Sequence, residues 1–260
     1  MIAITTESFI SAPIDQNILV NELVLAASRA GLGEPIDAYA SGTDKFLVFQ
    51  ITQDIVAAYG KVYLRWQIRD DRRIYADLFS DWTVATHSGV NSSGNYFHSD
   101  LDGTQGIKVC TVNGGAEFQL VIISQGTRRV CLGGISPDQK PDWWSLNSWN
   151  YYFVPDFNDY RRFRTTTLNP YGNVYHDVNL NNPRMKSANI YTGRRDILRG
   201  ILFFSQSGQG ISGRSSDSLA SASTSGTNLF NILDIPESTE QFLVLHDGSE
   251  GGGLCCQISE

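Results

Sequence analysis

Lys61-Val-Tyr-Leu-Arg-Trp-Gln-Ile-Arg69 alternates apolar and polar side chains along its length. A strand turns successive side chains to opposite faces, so Val62, Leu64, Trp66 and Ile68 point one way and Lys61, Arg65, Gln67 and Arg69 the other. The pattern reads as a half-buried antiparallel strand with one wet face. Working outward, residues 46–52, 73–79, 106–112, 116–124 and 128–132 read as strands of the same kind. Asp70-Asp71-Arg72 supplies the turn into 73–79, and Asn113-Gly-Gly115 and Ser124-Gln-Gly-Thr127 supply hairpin turns. Short strands at this spacing predict a mainly β chain, an antiparallel β-sandwich or barrel-like domain rather than a βαβ fold.

One helix is expected, near the start. Ser11 offers a cap and Pro13 a first-turn proline, with Ile14, Ile18, Val24 and Ala27 at helical spacings. Gly31 and Gly33 stop it and Pro35 prevents its continuation, so the helix is predicted over 13–31. The residues before it read as an extended arm. The chain thus divides into an N-terminal arm and helix over 1–40 and a β-rich domain over 41–260. Within the latter, Gly200-Ile-Leu-Phe-Phe204 reads as a buried strand, and residues 208–226, rich in glycine and serine, as a mobile loop. Gln241-Phe-Leu-Val-Leu245 and Leu254-Cys-Cys-Gln-Ile258 form a terminal hairpin. Neither the arm nor the 208–226 loop carries enough periodic apolar surface to offset about 1–2 kcal/mol per ordered residue. Both are expected to order only against neighbouring subunits.

Composition narrows the function. In 260 residues, 41% are hydrophobic and 18% charged, which excludes a disordered tail. A net charge of −7 argues against direct nucleic-acid binding, because phosphate contacts need a basic surface. No apolar run approaches a membrane span, and MIAITTESFISAP has no basic segment ahead of an apolar one, so neither membrane insertion nor a signal peptide is expected. Cys110, Cys131, Cys255 and Cys256 match no metal spacing; Cys110 and Cys131 read as small core residues.

Motifs with chemical content are few. Gly208-Gln-Gly210-Ile-Ser-Gly213 matches G-x-G-x-x-G, but the continuation Arg214-Ser-Ser-Asp-Ser has no apolar helix to carry a pyrophosphate. The loop reading is preferred. His87, His98, His176 and His246 are scattered without zinc-ligand spacing. His98-Ser-Asp-Leu-Asp-Gly103 echoes a calcium loop but lacks the further oxygen ligands, so an Asx-rich turn is the better reading. No nucleophile motif is present. Asp70-Asp71 supplies the carboxylates that glycoside hydrolysis needs, yet reads more naturally as a turn. No catalytic residue, cofactor or metal is assigned.

The most informative segment is aromatic. Residues 143–163 contain Trp143, Trp144, Trp149, Tyr151, Tyr152, Phe153, Phe157, Tyr160 and Phe163, interleaved with Arg161 and Arg162. Large rings with few rotatable bonds anchor interfaces or stack on sugars, and arginines pair with carboxylates on a neighbour. Trp143, Trp144, Trp149, Tyr160, Arg161 and Arg162 are therefore the candidate interface residues, against the alternative that these rings fill the core.

Taken with the extended start and helix, the strand pair 46–52 and 61–69, the stretch from Asn189-Ile-Tyr-Thr-Gly193 to Phe204, the glycine-serine loop and the C-terminal hairpin, the chain resembles bacteriophage virion structural proteins, especially neck, tail and baseplate components. That resemblance implies a non-enzymatic subunit, made in host cytoplasm and residing in the virion. Such a subunit assembles with itself and other virion proteins through arms, edge strands and aromatic contacts. The competing reading is a β-sandwich glycan-binding module, lectin-like or receptor-binding, with Trp143, Trp144 or Trp149 on a sugar. A carbohydrate-active enzyme ranks third.

Overall fold

The strands form where apolar side chains repeat with a period of two. In the computed structural model, residues 2–51, 62–90, 92–94, 96–136, 152–153, 162–163, 176–178, 197–205, 210–223, 227–235, 237–246 and 252–260 are described. In chain order the first part gives β1 (Ile4–Ile10), α1 (Gln16–Arg29), β2 (Asp37–Ser41), β3 (Asp44–Ile51), β4 (Val62–Ile68), β5 (Arg73–Phe79), β6 (Asp81–Thr83), β7 (Ser88–Val90) and β8 (Tyr96–Asp100). It continues through β9 (Ile107–Asn113), β10 (Phe118–Gln125) and β11 (Arg128–Ile135). The second part gives β12 (Tyr152–Phe153), β13 (Arg162–Phe163), β14 (His176–Val178), β15 (Ile197–Arg199), β16 (Leu202–Ser205) and β17 (Gly210–Arg214). It closes with β18 (Leu219–Ser223), β19 (Ile232–Asp234), β20 (Gln241–His246) and β21 (Gly252–Ser259). The chain is mainly β, its strand pairs are antiparallel, and α1 is the single α-helix among the described residues.

Three five-stranded sheets carry the core: β2-β3-β4-β5-β8, β1-β9-β10-β11-β12 and β15-β18-β21-β20-β19. The middle one is covered on both faces. Val109, Val121, Ile123, Val130 and Leu132 pack with α1 and with Leu47, Phe49, Leu64 and Trp66 of the first sheet. Cys110, Val112, Leu120, Ile122, Cys131 and Ile135 pack with Leu219, Leu243, Leu245, Leu254 and Cys256 of the third. The run Leu120-Val-Ile-Ile123 therefore serves two cores with alternate residues, and β10 has no wet face. That corrects the half-buried reading of 116–124: a continuous apolar run belongs to a strand covered twice.

The inner face of β4 agrees with its alternation, since Val62, Leu64, Trp66 and Ile68 are all buried in the first core. Its other face differs from expectation. Tyr63 is buried and the Arg65 side chain is mostly covered, because aromatic residues from β2, β5 and β6 close over them. The turn at 70–71 is held by its own carboxylates: Asp70 Oδ1 accepts from the Asp71 amide at 2.9 Å and Asp71 Oδ1 from the Arg73 amide at 3.2 Å.

The helix starts later than Ser11 and Pro13 suggest. Asp15 is its cap, Oδ1 accepting from the Ile18 amide at 2.8 Å, while Ile14 precedes the helix and enters the core. The helix ends at Arg29, two residues short of the predicted bound, with Gly31 as the expected stop. Gly31, with φ +88°, lets the Leu32 amide reach the Ala27 carbonyl at 2.9 Å and its own amide reach Ser28 at 3.1 Å.

In the two segments expected to order only on neighbours, the strands among the described residues pair within the chain. Residues 4–10 pair with β9 in register Ile4↔Asn113 through Ile10↔Ile107, and the Ala3 amide donates to the Gln257 carbonyl. Within 208–226, β17 pairs with β16 and β18 pairs with β21 and β15. Leu219, Ala220, Ser221 and Ala222 are buried in it. Small side chains let the third sheet pack closely there, a burial that hydropathy does not register. The match to G-x-G-x-x-G thus runs into an antiparallel strand, which removes the dinucleotide reading. The boundary drawn at residue 40 falls inside β2. No helix among the described residues is long and apolar enough to cross a membrane.

Because Ile122 lies wholly inside the second core, Ile122→Ala is expected to lower unfolding free energy by about 2–5 kcal/mol. Asp15→Ala removes only one cap hydrogen bond and should cost about 1 kcal/mol. Urea denaturation of both variants measures the contrast.

Candidate functional site

Two surfaces combine chemistry with exposure. The first is the outer face of the β2–β5 sheet. Arg65 on β4 and Asp77 on β5 are direct cross-strand neighbours, and Arg65 Nε and Nη2 donate to Asp77 Oδ1 and Oδ2, each at 3.0 Å. Ser92 Oγ donates to Oδ2 at 3.3 Å. The guanidinium lies 5.3, 5.0 and 5.9 Å from the ring centroids of Phe46, Phe79 and Trp82. Burial is the largest influence on Asp77 and pushes its pKa up to about 6, against the pull of Arg65 and the hydrogen bonds from Arg65 and Ser92.

Beside this pair, Tyr39 is sandwiched between Phe46 (centroids 4.7 Å, 6° between planes) and His87 (4.2 Å, 18°). Asp37, buried at the start of β2, accepts from Trp82 Nε1 at 2.9 Å, and His87 Nδ1 lies 2.9 Å from the same oxygen. His87 itself is half exposed and sits in the left-handed region at φ +49°. One carboxylate thereby clamps the β6–β7 hairpin at both its start and its tip. Gly89 completes the seat, for a Cβ there would meet the Phe79 ring at 2.2 Å.

An aspartate holding a histidine at Nδ1 is the orienting half of an acid–base relay. Among the described residues, however, the ring's hydrogen bonds go to Asp37 and its stacked face to Tyr39. The arrangement fastens a hairpin to a sheet. No group of three or more His, Cys, Asp or Glu side chains among the described residues is placed to hold a metal ion. The calcium-loop echo is an Asx turn: Asp102 Oδ1 accepts from the Thr104 amide at 2.9 Å and from its hydroxyl at 2.7 Å, which lowers the Asp102 pKa. The cysteines are buried thiols, and desolvation raises the pKa of Cys110 and Cys131 to about 12.

The second surface is the edge of the middle sheet. β1 is its terminal strand, and it carries Ile4 and Phe9 at 69% and 71% exposure, with Ile2 just before it. Glu7 on the same strand receives Lys108 Nζ at 2.7 Å. An edge row of backbone groups flanked by exposed apolar side chains is a template for another strand.

None of the interface residues expected from the sequence has its side chain among the described residues. Trp143, Trp144, Trp149, Tyr160 and Arg161 lie outside the described residues, and Arg162 is placed only by its backbone, in β13 opposite Asp177 of β14. Arg65–Asp77 went unnoticed in the sequence although a signal exists. A turn centred on Asp71 puts residue 65 opposite residue 77, on the face away from Trp66. Comparison with protein-family models and with curated proteins finds no match.

The shifted carboxyl makes a pH prediction. Asp77 binds its proton more tightly folded (about 6) than in the unfolded chain (3.8), so its contribution is fully present below pH 4 and is lost as pH rises through 6. Its size is about 2–3 kcal/mol. Urea titrations from pH 4 to 7 should show wild-type stability falling by that amount relative to Asp77→Asn. Parallel curves would refute the assignment.

Proposed function

We propose that this protein is a non-enzymatic structural subunit of a phage particle, in the neck, tail or baseplate, that assembles through edge strands and aromatic contacts. The observation that carries the reading is β1: an edge strand presenting Ile4 and Phe9 to solvent. Large apolar side chains beside a row of backbone donors and acceptors that no strand among the described residues pairs favour pairing with another chain. The resemblance of the N-terminal segment, the strand pair and the aromatic stretch to virion structural proteins supports the same assignment. Three stacked sheets joined by two cores give a subunit rigid enough to transmit its position to neighbours.

The partners are further copies of this chain and other virion proteins, and the location is the virion. Glycan recognition is the competing reading, and a glycan array with the isolated subunit distinguishes it. Mass spectrometry of purified phage particles should find the protein in stoichiometric amount. Ile4→Lys with Phe9→Lys should leave the melting temperature within about 2 °C, since both side chains are exposed. The same variant should block incorporation into particles. Absence of the wild-type protein from particles overturns the proposal.

A further inference from the structure

We infer that two copies of this chain pair antiparallel through β1, with Glu7 of each opposite Glu7 of the other, so that the two middle sheets become one; the inference rests on the assembly reading above. β1 is close to palindromic in chemistry. Outward from Glu7 its positions are Thr6 and Ser8, then Thr5 and Phe9, then Ile4 and Ile10. A two-fold axis at Glu7 sets Ile4 against Ile10, Thr5 against Phe9 and Thr6 against Ser8, along the whole strand. Hydroxyl pairs and aromatic–β-branched pairs are among the combinations that stabilise an antiparallel ladder. A closed two-fold contact uses the same surface on both copies, which this sequence symmetry satisfies.

The register is restricted from the N-terminal side. A centre shifted to Thr6 would carry the pairing onto Ala3, whose amide already donates to the Gln257 carbonyl at 2.9 Å and whose side chain is buried in the second core. A centre at Glu7 keeps the pairing within residues 4–10. Its one unfavourable contact is glutamate against glutamate. Each Glu7 is held by its own Lys108 at 2.7 Å, so the four charges at the centre sum to zero. Ile4 and Phe9, exposed in the single subunit, become covered from the second copy.

Sedimentation equilibrium on the full chain, up to about 100 µM, tests the pairing at the affinities expected for a small interface. The wild type should show a reversible monomer–dimer equilibrium. Ile4→Lys with Phe9→Lys should weaken it roughly tenfold or more, with circular dichroism unchanged. Glu7→Lys turns the neutral centre into four like charges, two from each copy, and should weaken the dimer roughly tenfold or more. A wild type that stays monomeric, a dimer indifferent to the lysines at 4 and 9, or Glu7→Lys that leaves the affinity unchanged would each overturn the inference. A monomer found in particles refutes the self-pairing and leaves the virion assignment standing. A dimer absent from particles refutes the assignment and leaves the pairing.

Discussion

The middle sheet is apolar on both faces, and everything else in the fold answers that constraint. Leu120, Val121, Ile122 and Ile123 are consecutive, so pleating sends two of them each way and neither face tolerates water. One face is covered by α1 and the sheet of β2–β5, the other by β18, β20 and β21. Each fully buried aliphatic side chain contributes about 1.5–3 kcal/mol relative to exposure. A chain with only one covering layer would leave one of these faces in solvent. The N-terminal strand and helix are part of this closure: Ile10, Ile14, Leu19 and Leu23 all join the first core.

Away from that core, polar chemistry is used as fastening. Arg65 and Asp77 are removed from water together, which makes sense only because both carboxylate oxygens and both facing guanidinium nitrogens are matched. Rings of Phe46, Phe79 and Trp82 close over the pair, and Asp37 ties Trp82 and His87 down beside it. The outer sheet face therefore seats a hairpin, while β1 is the edge of the middle sheet among the described residues.

Much of this was legible in the residues. The alternation of 61–69, the glycines at 31 and 126, the Asp70-Asp71 turn and the C-terminal pairing of β20 with β21 are local statements that the chain makes in its own neighbourhood. What was not legible depends on partners distant in sequence. Arg65 reads as solvent-facing until Trp82 and Phe79 are known to lie over it. Leu219-Ala-Ser-Ala-Ser reads as a loop because alanine and serine carry little hydropathic contrast, yet they fit where β15 and β21 close in on both sides. The cap at Asp15 was hidden by Ser11 and Pro13, which show an equally good local start. Apart from the backbones of β12 and β13, the candidate interface at 143–163 falls outside the described residues, so the assembly surface rests on exposure along β1 and not on aromatic content.

Cys110, Cys131 and Cys256 line the seam between the middle and third sheets, while Cys255 faces the opposite side of the latter. Un-ionised and sealed from solvent, these thiols have no nucleophilic form to offer while the layers stay together. Alkylation at the seam would therefore be clocked by the parting of two sheets rather than by the redox poise of the surroundings. The protein carries, in its own sulfur, a reporter of how often its layers breathe.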